Sequence, residues 1–233
     1  MAIITLLIYI LSPIEFADSL FNEKDFFNAI TEYKRAMYIG ENKEYALWKI
    51  GLSYEKRKKY NFAAKYFSQL AFLIDTPTVK HHLAIDLIKD RRYKAASLAL
   101  EGEKDTISQI IYAISEGLNG NFQKADTKLK RLNIDVPSLP DDNLIRYPSY
   151  IVPGFGLFIL GDYKKGLLSL FFTGTTGYLT YYLIKNKRYP EAFVCFNTLF
   201  LRFYTGGIKT AFGVKRKKKR HFYSSLLDKL LKG

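Results

Sequence analysis

One cysteine, Cys195, among 233 residues excludes any disulfide within the chain. An apolar run follows it and no histidine lies near it, so it reads as a small buried apolar residue. Histidine is almost as scarce. His81 and His82 are adjacent on one predicted helix and point to different sides, which excludes the i, i+4 spacing of a metal pair. His221 stands in a basic run, and Asp141-Asp142 is an acidic pair with no partner nearby. The chain has no nucleophile elbow, no metal quartet and no Gly-Lys-Ser/Thr phosphate loop. These absences point to a protein that is not an enzyme and that uses no cofactor and no metal.

Acidic residues are missing from one part of the chain only. Residues 146–233 hold 16 Lys/Arg and 3 Asp/Glu, whereas residues 1–145 hold 20 and 19. Thirteen of the fourteen net positive charges therefore lie in the last 88 residues. The two parts face different surroundings or do different jobs.

What is present is a repeat. Phe26 and Ala29, Tyr60 and Ala63, Tyr93 and Ala96, and Phe122 and Ala125 each place an aromatic three residues before an alanine. The aromatics are spaced 34, 33 and 29 residues apart. A period in this range marks stacked helical hairpins, each too small to bury its apolar face alone. A near match, Tyr189 with Ala192, begins an apolar segment and reads as helix initiation rather than a fifth repeat.

Gly51, Tyr54, Tyr60, Ala63 and Phe67 stand in the spacing of a tetratricopeptide repeat, and the chain resembles that family over residues 14–131, in about four units. Antiparallel helices approach closely where side chains are small, and large neighbours fill the space beside the contact. The resemblance implies an all-α fold in which the first helix of each unit lines a binding groove. Carried onto this chain, that groove takes Tyr45, Trp48, Leu52 and Glu55, then Thr78, His81, Ile85 and Ile88, then Ile107, Ile110 and Ile114. It is apolar and aromatic, suited to a protein or peptide partner. Trp48 is the leading contact candidate, because tryptophan is enriched at energetic hot spots.

Ala2 to Leu11 is uncharged and apolar, the length of a signal-peptide core rather than of a span. Residues 1–13 read as a signal peptide or anchor, and the first repeat helix begins near Ile14. Residues 132–148 read as a linker, since Pro137, Pro140 and Pro148 and the turn formers between them oppose a helix.

The region from 149 to 214 has a different character. Gly166–Ile184 is 19 residues without a charge, flanked by lysines, and is long enough to span a bilayer. Ala192–Val214 is a second apolar stretch, interrupted by Arg202 and Lys209. Gly207 and Ala211 form a small-x-x-x-small pair. Pro153-Gly154-Phe155-Gly156, Gly161 with Gly166, and Phe203-Tyr204-x-Gly206-Gly207 are similar to the motifs of a bacterial membrane-domain family of poorly defined function. Leu157 stands where that family usually has Gln, and Ile159 where it has Tyr. The resemblance implies an α-helical membrane-associated region joined to repeats in an exported bacterial protein.

Lys215-Arg216-Lys217-Lys218-Lys219-Arg220 follows directly, and Ser224 to Lys232 reads as a short amphipathic helix, so residues 215–233 suit an anionic membrane face. The competing reading is phosphate contact with nucleic acid, as in a ribosome-associated factor. A third is a membrane transport or insertion accessory. The reading that unites these features is an all-α, membrane-anchored scaffold. It binds a protein partner through its repeats, at a bacterial inner membrane with the repeats outside the cytoplasm.

Overall fold

The computed structural model describes residues 12–232, and every regular element among them is helical. The chain divides into two compact units. The first holds the described residues up to Asp135 and those from Leu227 on, and the second is Val136–Leu226.

The first unit is built of four helical hairpins. They are α1 (Pro13–Asn22) with α2 (Phe26–Tyr38), α3 (Lys43–Lys56) with α4 (Tyr60–Leu73), α5 (Pro77–Lys89) with α6 (Tyr93–Ala99), and α7 (Thr106–Asn119) with α8 (Phe122–Arg131). Each helix packs on its neighbours in the chain, and α5 also meets α7 because α6 is only seven residues long. The alanines of the sequence repeat (Ala29, Ala63, Ala96 and Ala125) are completely buried. At Gly51 the approach is closer still: a Cβ there would lie 2.7 Å from the ring of Phe67.

One turn joins the two helices of every hairpin. Lys24, Lys58, Arg91 and Gly120 all have positive φ, and each precedes the signature aromatic by two residues. The amide of the next residue donates five positions back: Asp25 to Leu20, Lys59 to Tyr54, Arg92 to Leu87 and Asn121 to Glu116, at 2.8–2.9 Å. This is the Schellman closure, which satisfies orphan carbonyls at a helix end.

The same turn recurs in the second unit. Gly161 and Lys187 have positive φ, Asp162 donates to Leu157 and Arg188 to Leu183, and Tyr163 and Tyr189 follow two residues later. The small residue three places on is Gly166 in one case and Ala192 in the other, both buried. Tyr189 does initiate a helix, as the sequence reading has it, but it also follows the hairpin turn of the array.

The second unit comprises α9 (Asp142–Ile151), α10 (Phe155–Ile159), α11 (Tyr163–Lys185), α12 (Tyr189–Cys195), a π-helical turn (Phe196–Phe200) and most of α13 (Leu201–Leu230). Cys195 is buried, with Thr180 Oγ1 3.4 Å from its sulfur.

The first helix starts at Pro13, beside the expected Ile14, with Ser12 and Glu15 forming a capping box; the signal or anchor segment before Ser12 lies outside the described residues. Three expectations change here. The linker ends early, because α9 begins at Asp142 and runs through Pro148. Ser149 anchors that helix by accepting a hydrogen bond from the Gly156 amide at 2.9 Å. The basic run is not a break before a short tail helix, since α13 continues through it for 30 residues. Lysine and arginine are good helix formers, and Lys215 finds an acid in Asp142 at 2.7 Å. Finally, no helix among the described residues is long and apolar enough to cross a membrane. The 23-residue α11 reaches about 35 Å, but threonine, glycine and tyrosine fill its second half.

Candidate functional site

The first helices of the hairpins place Tyr45, Trp48 and Leu52 on α3, Ile85 on α5, and Ile107 and Ile110 on α7. Ile107 is exposed and the other five are half-buried. Ile88 and Ile114, which the family resemblance assigns to the groove, lie in the core instead. Trp48 meets Phe67 edge-on at 5.4 Å and His82 at 4.9 Å, so its ring both packs and remains partly open.

Polar side chains tie these helices together. His82 Nδ1 lies 2.7 Å from Glu55 Oε1, joining α5 to α3. His81 Nε2 lies 2.7 Å from Ser108 Oγ and 3.1 Å from Asp105 Oδ2, joining α5 to the start of α7. The two histidines therefore serve opposite neighbours. In the first hairpin Asp18 accepts hydrogen bonds from Tyr33 at 2.5 Å and Tyr45 at 2.8 Å, and pairs with Lys49 at 3.1 Å. Burial opposes its charge, but those three partners outweigh it and hold the carboxyl below its ordinary range.

Asp86, one turn beyond His82 on α5, carries no functional signal in the sequence. It is fully buried and neither carboxylate oxygen has a hydrogen-bond partner. Burial, and next the nearby Glu55 carboxylate, push its carboxyl up to about 8, against a smaller pull from Lys89. Between pH 4 and 8 the folded chain thus holds a proton that the unfolded chain has released. This stabilisation is complete at low pH and is lost as pH rises through 8, at up to about 1.4 kcal/mol per pH unit. Asp86→Asn is expected to flatten that slope. In urea titrations its stability gain over the native chain should be larger at pH 9 than at pH 5, and equal gains at both would contradict the assignment.

The loop after α6 bounds a cavity of about 890 Å³ against α7 and α8, with Tyr112, Lys124, Lys128, Arg131 and Glu101 among its lining. It mixes aromatic, basic and acidic groups.

In the second unit the motif glycines come together. Gly154 has φ +85°, and a Cβ on it would lie 2.7 Å from the Gly166 carbonyl oxygen and 2.9 Å from Ser169 Cβ. A Cβ on Gly156 would meet Ile145 and Ser149 at 2.7 Å, one on Gly166 the Phe158 ring at 3.0 Å, and one on Gly207 would run into the Ser169 hydroxyl. Pro153 opens the turn into this contact, Gly161 serves the next turn, and Gly206 faces open space. Tyr204 donates to the Tyr150 carbonyl at 2.8 Å. Leu157 is buried with Ile145, Leu160 and Ala211.

Helix α11 reverses the usual arrangement. Gly166, Thr173, Thr176 and Thr180 face inward, with Thr173 only 3% exposed. Leu167, Phe171, Tyr178 and Ile184 face outward, with Phe171 63% exposed. The signal was present in the sequence as Gly, Ser and Thr at 166, 169, 173, 176 and 180, one helix face by spacing. Ile151, Tyr189, Phe193 and Val194 are exposed as well.

Of the six cations at 215–220, Lys215 is paired with Asp142, Lys218 donates to the Leu160 carbonyl at 2.6 Å, and Lys219 is buried. Arg216, Lys217 and Arg220 are exposed. Among the described residues no group of His, Cys, Asp and Glu is arranged to hold a metal. No protein-family model, no curated protein and no solved structure matches the chain.

Proposed function

We propose that this chain is a non-enzymatic, membrane-associated scaffold, with a repeat array that holds a protein or peptide and a second unit that embeds in one face of a bacterial envelope membrane. The inverted face of α11 carries the reading. Water-facing helices put polar residues outward and large apolar ones inward. Helices against lipid place Gly, Ser and Thr at the contacts between helices. Exposed apolar surface on this scale marks an interaction site rather than a water-facing wall. The exposed Tyr178, Tyr181 and Tyr182 suit the interfacial layer, where tyrosine and snorkelling lysine are favourable.

For the repeats, the support is the exposed and half-buried apolar set on α3, α5 and α7, together with the cavity beside α6. A photo-cross-linking residue at Ile107 in the full chain is expected to capture one defined protein. The same residue at Phe72, exposed on α4, is expected not to. Leu52→Glu should abolish the Ile107 product. Equal products from both positions, or none, would contradict the groove assignment.

A further inference from the structure

A cleft of about 510 Å³ lies between α11 and α13 within the second unit. Lys165, Arg202 and Lys209 line it. Its wall is apolar, made of Leu168 with Phe172 and Phe203, whose rings stack at 5.1 Å. Arg202 and Lys209 are exposed, so an incoming anion can reach them, and the unit has few acids to pair with them. Asp162 holds Lys165 at 2.6 Å, Glu191 holds Arg188 at 2.9 Å, and Asp142 holds Lys215 at 2.7 Å. Among the described residues neither Arg202 nor Lys209 has an ion pair or a side-chain hydrogen bond.

Arg202 and Lys209 are seven residues apart on α13, on one face and about 10 Å apart along the axis. Gly206 lies between them, and no atom stands within 4 Å of where its Cβ would be. The floor between the two cations is therefore bare backbone. At the base of the cleft is Ser169, whose hydroxyl has no partner.

We infer that this cleft binds the phosphate headgroup of an anionic glycerophospholipid, held between Arg202 and Lys209 over Gly206, with its acyl chains along Leu168, Phe172 and Phe203. Arginine matches phosphate geometry with paired donors, and lysine adds a point charge. A free phosphate would leave the stacked aromatic wall unused. That wall runs into the exposed face of α11, which is why an amphiphile fits better. The inference rests on the membrane reading, and it adds a defined lipid site to a general affinity for bilayers.

The test uses the full chain in neutral detergent and dihexanoyl phosphatidylglycerol, a short-chain lipid that can report a site without a bilayer. Native mass spectrometry is expected to show one bound molecule. Arg202→Gln with Lys209→Gln should weaken binding about tenfold or more, as expected for losing two charge-assisted contacts. Gly206→Leu should block it by filling the floor, with an unchanged melting curve showing that the fold survives. Arg216→Gln with Lys217→Gln should leave binding intact. Absence of a one-to-one complex, equal binding of dihexanoyl phosphatidylcholine or inorganic phosphate, or equal loss with the 216/217 pair would each overturn the site. Site binding by a chain that ignores vesicles would preserve the cleft and sink the membrane reading. Vesicle binding without the one-to-one complex would do the reverse.

Discussion

Phe67→Ala is expected to cost the helical array about 3–5 kcal/mol, the range for removing a fully buried aromatic. The ring is completely buried. It fills the space that Gly51 leaves on α3, with the position of an added Cβ only 2.7 Å away. It also touches Trp48 at 5.4 Å and His82 at 5.1 Å, so one side chain joins α3, α4 and α5. In an array stabilised by nearest-neighbour interfaces, that loss falls on the junction between the second and third hairpins. Guanidinium titration should show a lower midpoint, and an early phase if the first two hairpins separate from the rest. Phe72→Ala is the control, because Phe72 is 92% exposed on the same helix. It should change stability by less than about 0.5 kcal/mol. Equal effects would remove the Gly51–Phe67 contact as the keystone of the array.

Gly154→Ala is expected to destabilise the second unit by about 3 kcal/mol, summing left-handed strain and overpacking. Two causes act together at this position. The φ of +85° disfavours any side chain, and the added Cβ would sit 2.7 Å from the Gly166 carbonyl oxygen, a backbone atom that cannot swing aside. Gly161 separates the causes, since its φ is +75° but nothing lies within 4 Å of an added Cβ. Gly161→Ala should therefore cost only about 1 kcal/mol. Thermal melts of the two variants give the comparison, and similar losses would show that the close approach at Gly154 contributes nothing.

The repeat was legible because it depends on residue size. An alanine three places after an aromatic, and Gly51 opposite Phe67, survive as pattern in a single sequence. The left-handed geometry of the hairpin turn was not legible. Four of its six left-handed positions hold Lys24, Lys58, Arg91 and Lys187, where glycine would have advertised the conformation. Hidden in this way, the turn before Tyr189 looked like simple helix initiation. The prolines after residue 136 misled in the other direction. Asp142 gains Lys215 and Ser149 gains the Gly156 amide, and those partners hold α9 through Pro148.

The candidate site shows the same division. The motif glycines at 154, 156, 166 and 207 could be named from sequence, but not what each one touches. Asp86 carried no sequence signal, since an aspartate on a helix ordinarily faces water. Arg202 and Lys209 read as interruptions of an apolar stretch, and only the folded hairpin puts them around one cleft. The apolar run at 166–184 was plain, yet its inward threonines and outward aromatics carry more meaning than its length.

The central claim is that the second unit's outward apolar face embeds in a membrane. Flotation of the full chain with phosphatidylglycerol–phosphatidylcholine vesicles tests it most directly. The account predicts that the protein floats with the vesicles, stays with them in about 1 M salt, where charge attraction is screened beyond about 3 Å, and leaves only in detergent. A protein that stays at the bottom of the gradient, or that salt alone releases, would contradict it.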